Sequence, residues 1–220
     1  MSAKPSQLGS SNAATRQLLI EAAAHVFAER GFKAASVREI CARANANVAA
    51  VNYHFGDKEG LYAEVLKYSL RCAREKYPPD MGLERDASWE ARLRAFIHAF
   101  LLRIFDDGPQ ACHGKLLSRE MIEPTNALDS LVEEEMRPMA HQLQSIVRGL
   151  LGPDAPEETV RRSGMSVISQ IVFYHHCRPV TQRLYPKMQF SQKEIDRLAD
   201  HITEFSLAAL KQMSRNLKRK

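Results

Sequence analysis

Ser36-Val37-Arg38-Glu39-Ile40-Cys41-Ala42-Arg43-Ala44-Asn45-Ala46-Asn47-Val48-Ala49-Ala50-Val51-Asn52-Tyr53-His54-Phe55, residues 36–55, carries the strongest structural signal in the chain. Ser36 stands where a helix N-cap belongs, and Glu39 follows at the capping-box spacing. Val37, Ile40 and Cys41 then mark the buried face of a short helix over about 37–43. Asparagine tolerates left-handed backbone and also caps helices, so Asn45 makes the turn and Asn47 opens a second helix over about 48–55. Two short helices joined by such a turn form a helix-turn-helix. A second helix that approaches base edges needs small side chains at its start, and Ala49 and Ala50 are small. An alanine or valine methyl can meet a thymine methyl in the major groove. Gly56-Asp57 breaks the pattern, Asp57 caps a further helix, and the Lys58 ammonium is in position to reach a phosphate.

Outward from this stretch the periodicity stays helical. Leu18, Leu19, Ala22, Ala23, Val26 and Phe27 recur at three- and four-residue spacing, and Gly31 suits the left-handed residue that closes a helix. Residues 1–14 are Ser/Ala/Asn-rich and aperiodic, which predicts a disordered arm. The helix from Asp57 runs to about Tyr77, where Pro78-Pro79 ends it. Five more helices follow. One carries Trp89, Leu93, Phe96, Phe100 and Ile104 and stops at Asp107-Gly108-Pro109; a shorter one covers about 110–122. A long one runs from Thr125 or Asn126 to Leu151, with Pro138 predicting a kink or break near Met136. Another spans about 156–177, and the last repeats Ile195, Leu198, Ile202, Phe205, Ala209 and Met213. No strand-like alternation of useful length occurs. The fold class is all-α: a three-helix helix-turn-helix domain over 15–60, a helical bundle over 61–215 and a basic tail over 216–220, about nine helices in all.

Composition agrees. The 220 residues give one to two domains, 45% are apolar, and 10 glycines with 10 prolines leave few turn residues for a sandwich or barrel. No run approaches the roughly 20 apolar residues of a membrane span, and Met1 to Ala14 lacks the apolar core of a secretory signal. Cys41, Cys72, Cys112 and Cys177 lie at intervals of 31, 40 and 65 residues, which suits neither a disulfide framework nor a zinc site and reads as reduced thiols in the cytoplasm. Five basic residues without an acidic one between Lys211 and Lys220 account for the whole net charge of +5, so bulk charge does not argue for nucleic acid. Nucleophile–base–acid arrangements, P-loops and dinucleotide fingerprints are missing, which speaks against an enzyme and against a cofactor. His175-His176-Cys177 invites a metal, but adjacent helical histidines point about 100° apart and chelate one ion poorly.

Residues 15–66 resemble the DNA-binding region of TetR-family transcriptional regulators. The resemblance runs through Ala22-Ala23-Ala24-His25-Val26-Phe27-Ala28-Glu29-Arg30-Gly31-Phe32, Ser36-Val37-Arg38-Glu39-Ile40 and Val51-Asn52-Tyr53-His54-Phe55-Gly56-Asp57-Lys58-Glu59-Gly60-Leu61-Tyr62. It implies a double-stranded DNA operator, with Ser36, Arg38, Asn47, Val48, Ala49, Ala50, Tyr53, His54 and Lys58 at the DNA. Asn45 replaces the family's usual turn glycine, and Asn52 replaces the usual tyrosine of the recognition helix. Further on, residues 115–125, Met136-Arg137-Pro138, Gln170, Phe173-Tyr174 and Arg178-Pro179 resemble the CecR-like subclass, whose known members are linked to membrane-transport genes and drug susceptibility.

The resemblance also implies a small-molecule effector inside the bundle. Phe96, Phe100, Met121 and Phe173 are the apolar candidates to line its site, with plain core packing as the competing reading; His113, Arg119 and Tyr174 are the polar ones. Ser118-Arg119-Glu120 before Pro124 has an equal alternative, a buried Arg–Glu pair satisfying a helix end. An apolar face with Val167 and Ile171, and a stripe of Ile195, Leu198, Ile202, Phe205 and Ala209, predict a four-helix contact in a homodimer. Two-fold symmetry then sets the recognition helices about 34–36 Å apart on an inverted repeat. The expected activity is a ligand-released repressor; an activator, a co-repressor-dependent regulator and a helical carrier without specific DNA binding are the alternatives.

Overall fold

All regular structure among the described residues, 7–106 and 112–219 of the computed structural model, is helical. Two compact units are present, one built from 1–73 with 108–135 and the other from 74–107 with 136–220.

The first unit contains α1 (Gln7–Ala34), α2 (Val37–Arg43), α3 (Val48–Phe55), most of α4 (Lys58–Lys76), and the later α6 (His113–Ile122) and α7 (Ala127–Leu131). Residues 1–6 of the expected arm lie outside the described residues, but 7–14 are helical and form the first turns of α1. The helix breaks where glycine predicts it, at Gly31 with φ 77°, and resumes for a last turn. Leu19, Val26, Phe27, Ile40, Val51, Leu61 and Val65 are buried in this unit's core. Tyr62 joins them: its ring meets Phe27 edge-on at 4.9 Å and lies 5.0 Å from Phe32. Burial, with the Glu120 carboxylate beside it, holds the Tyr62 phenol well above its ordinary range. Gly60 is required by close approach, because a Cβ there would fall 2.0 Å from the Phe55 carbonyl oxygen.

The second unit packs α5 (Trp89–Phe105) against α8 (Arg137–Leu151) and α11 (Gln192–Leu217), with α9 (Glu157–His176) against α8 and the short α10 (Arg178–Leu184) beside α9. Leu93, Ile97, Leu101, Val147, Ile171 and Ile202 form the centre of its core. Polar ties join α5 to α11: Arg94 Nε donates to Asp200 Oδ1 at 2.7 Å, and His98 Nε2 lies 2.8 Å from Asp196 Oδ1.

The expected long helix over 125–151 is interrupted as predicted. A π-helical turn, Val132–Met136, separates α7 from α8, and Pro138 stands in the first turn of α8. Proline offers no N–H to the carbonyl four residues back, and the wider turn absorbs the mismatch. This split, together with α10, is why the helical segments exceed the nine expected. The predicted stop at Asp107-Gly108-Pro109 and the start of the next helix at Gln110 fall outside the described residues, as does Lys220 of the tail. Residues 216–217 belong to α11.

Candidate functional site

The α2–turn–α3 element is assembled by its own short-range hydrogen bonds. Ser36 Oγ accepts from the Glu39 amide at 3.2 Å, while the Glu39 carboxylate pairs with Arg30 at 2.9 Å. Asn45 takes the left-handed conformation at φ 49°, and Asn47 Oδ1 accepts from the Ala49 amide at 3.0 Å. Both asparagines therefore have the roles their chemistry predicts. Asp57 Oδ1 accepts from Gly60 N at 2.8 Å and holds the first turn of α4.

Val51 is fully buried and pins α3 to the unit, so the helix turns its other side outward. Val48, Ala49, Asn52 and Tyr53 form an exposed arc, with Tyr53 74% exposed, while Ala50 and His54 are half-buried at its edge. Ser36 and Arg38 are exposed beside it. Arg43 pairs with Glu29 at 3.5 Å, whereas Arg38 has no ion pair among the described residues. Lys58 is half-buried, its Nζ donating to the Lys33 carbonyl at 3.4 Å and lying 4.7 Å from the centre of the Phe32 ring. Its ammonium is thus already oriented by the fold. Asn12 is a residue that sequence reasoning missed: its Nδ2 donates to Tyr53 Oη at 3.4 Å, bringing the start of α1 to α3. The run Gly9-Ser10-Ser11 concealed it by reading as loop.

The residues expected to line an effector site divide between the units. Phe96 and Phe100 are buried in the second, their ring centres 6.2 Å apart. Phe173 is 54% exposed, with Tyr174 half-buried next to it. His113 is buried in the first unit and Met121 is exposed there. Arg119 is a helix-end clamp: Nε and Nη2 donate to the Ala28 and Glu29 carbonyls at 3.2 and 2.9 Å, closing α1 just before Gly31. The fully buried Glu120 accepts from Thr125 N at 2.8 Å and Thr125 Oγ1 at 3.0 Å. Helix ends are satisfied, as one of the two readings of this segment held, but by each side chain separately and not by an Arg–Glu pair.

The expected pairing stripe needs correction. Val167, Ile171, Ile195, Leu198 and Ile202 are buried in the second unit's own core, because an amphipathic helix turns its most apolar face inward first. What stays exposed is an offset apolar set: Met165 (66%) and Phe173 on α9, Phe205 (62%) and Ala209 on α11. His175 packs its ring 5.5 Å from that of Phe105, and His176 Nδ1 lies 3.3 Å from the Val172 carbonyl. Among the described residues no three His, Cys, Asp or Glu side chains form a group able to hold a metal ion. No described helix is long and apolar enough to cross a membrane. All four cysteines are free, and burial pushes the Cys41 and Cys112 thiols up, away from reactivity.

Comparison with known proteins matches both parts of the chain. Residues 19–65 match the family model described as bacterial regulatory proteins, tetR family. Residues 89–210 match the C-terminal domain of the HTH-type transcriptional dual regulator CecR. The CecR protein of Shigella flexneri is 29% identical over 169 residues, which cover 72% of this chain and 74% of that protein. A crystal structure of a transcriptional regulator from Pseudomonas aeruginosa PAO1 superposes with a TM-score of 0.67 at 21% identity, covering 90% of this chain and 92% of that one. AibR, solved in complex with isovaleryl coenzyme A and operator DNA, superposes with a TM-score of 0.63 at 16% identity, covering 87% of this chain and 97% of that one.

Proposed function

The chain belongs to the TetR family of bacterial transcriptional regulators, with a C-terminal domain of the CecR type, and on that premise we propose that it is a ligand-responsive repressor binding an inverted-repeat operator as a homodimer. The observation that carries this reading is the exposed arc of α3. Its N-terminal end is capped by Asn47 and presents Val48 and Ala49, with Ala50 at the edge; Asn52 and Tyr53 follow one turn on. Small side chains let the helix backbone come close to base edges. In this reading Arg38 and Lys58 neutralise phosphates, Ser36, Tyr53 and His54 touch the DNA backbone, and Val48, Ala49 and Ala50 meet bases.

The exposed apolar set on α9 and α11 supplies the pairing surface, continued by Ala209 beside Phe205. A small molecule that prefers the form of the dimer unsuited to DNA releases it, and linkage requires DNA to weaken that molecule by the same factor. Reversing a 1:99 equilibrium takes about 5.5 kcal/mol of differential affinity, which two equivalent subunits share. The AibR complex supports a fold able to take both a small molecule and operator DNA. Membrane-transport genes are the proposed targets, and the cytoplasm is the proposed site of action.

A second reading has a specific observation behind it. The Shigella relative is named a dual regulator, which favours activation at some promoters beside repression at others. A carrier without specific DNA binding is disfavoured because Arg38 and Ala49 are exposed, Ala50 stands at the edge of the α3 arc, and Lys58 follows at the start of α4, with no acidic or bulky residue at 49 or 50.

The test is an anisotropy titration against the DNA upstream of the protein's own gene at defined salt, followed by footprinting. Tight binding that resists competitor DNA, with a two-fold symmetric footprint, is the expected result. Binding that ordinary competitor abolishes would return the carrier reading.

A further inference from the structure

Arg103 stands in Leu101-Leu102-Arg103-Ile104-Phe105 near the end of α5, and it is only 6% exposed. It follows Phe96, Ala99 and Phe100 at seven, four and three residues, so it shares the inward face of the helix with three buried apolar side chains. The guanidinium is incompletely satisfied. Nε donates to the Tyr77 carbonyl at 2.9 Å, Nη1 reaches the Met139 sulfur at 4.0 Å, and Nη2 is buried without an acceptor among the described residues. No described carboxylate pairs with it; Asp106, just beyond the end of α5, holds Lys76 at 2.6 Å. Burial first, and the positive charge of Arg74 second, bring Arg103 down to about 10, so it stays charged at neutral pH.

A desolvated, unpaired cation weakens a core that leucine or methionine would fill better. What arginine provides there is a fixed donor edge in apolar surroundings. A planar carboxylate fits that edge and brings the missing negative charge, and the bond between two ionised partners is strong because water is excluded. Phe96 and Phe100 on the same helix face, and the adaptable Met139 thioether, suit an apolar body attached to that carboxylate.

We propose that Arg103 receives the carboxylate of the effector, so that this regulator answers to apolar molecules carrying a single carboxylate. The inference deepens the ligand-released reading and rests on it for its regulatory consequence.

The test uses full-length protein and matched probes: decanoate against decanol, and 1-naphthoate against 1-naphthalenemethanol. Affinities come from calorimetry and from the concentration dependence of thermal shifts. Each acid binds about tenfold or more tightly than its alcohol in the unmodified protein. In Arg103→Met the difference falls to about twofold or less, and in Arg103→Lys, which keeps the charge but loses the planar fork, it persists in reduced form. Acids that bind no better than their alcohols would overturn the proposal. So would an acid preference that survives Arg103→Met or, should that variant fail to fold, one that is unchanged in Arg103→Lys. Operator titration of the ligand-free protein tests the regulator reading by itself, so the two can fail independently.

Discussion

In the first unit, beside cross-helix pairs such as Gln17 with Tyr68, polar side chains also end helices: Ser36 and Asn47 accept from amides two or three residues away at the starts of α2 and α3. In the second unit they tie one helix to another, Arg94 to Asp200 and His98 to Asp196, across about a hundred residues of chain. The first arrangement positions backbone accurately over short distances, which a helix entering a DNA groove needs. The second leaves the interior almost wholly apolar, and in that interior one charge, Arg103, has no acidic partner among the described residues. Orientation of the proposed DNA-reading surface is thus built locally, whereas the effector response proposed above rests on a long-range core.

The comparison can be broken or sharpened by measurement. Ala50→Glu sets a carboxylate against phosphates at the edge of the α3 arc, and operator affinity should fall about a thousandfold, to the non-specific level, with melting unchanged. Retained affinity would mean that α3 does not read DNA. Phe205→Glu should raise the dimer dissociation constant about a hundredfold in sedimentation while leaving the first unit's amide-exchange protection intact. An unchanged dimer removes that face from pairing.

Smaller effects separate the two kinds of polar contact. Asn47→Ala should cost about 1 kcal/mol in urea unfolding and speed exchange of the Ala49 amide. Lys58→Ala should lower the slope of log affinity against log salt by about 0.9, equally for all sequences; an unchanged slope takes Lys58 off the phosphates. Arg94→Ala removes a half-exposed pair and should cost no more than about 0.5 kcal/mol. A larger loss there than at Asn47 would reverse the contrast between local caps and cross-helix ties.

Legibility followed the same division. Ser36, Asn45 and Asn47 could be read because a cap or a left-handed turn depends on the residue itself and on neighbours two or three positions away. Pro138 announced its break for the same reason. The helicity of 7–14 was hidden by a local composition that favours loops, and α10 by its brevity, since seven residues show too little periodicity. Arg119 and Glu120 stand out in the sequence, but the carbonyls and amides they satisfy belong to partners the sequence does not name. Arg103 leaves only a faint signal, a charged residue on the apolar period of α5.

By itself, then, the sequence determined an all-α chain with a helix-turn-helix near its N-terminus, because helix periodicity, caps and turn chemistry are properties of near neighbours. Tertiary structure decided which side of each amphipathic helix is spent on its own core. Val167, Ile171, Ile195, Leu198 and Ile202 turned inward, leaving Met165, Phe173, Phe205 and Ala209 outside. It also decided that Arg103 should be a buried charge without an acidic partner among the described residues. Both outcomes depend on which distant helices pack together, and burial, unlike a cap, is settled only when those partners have met.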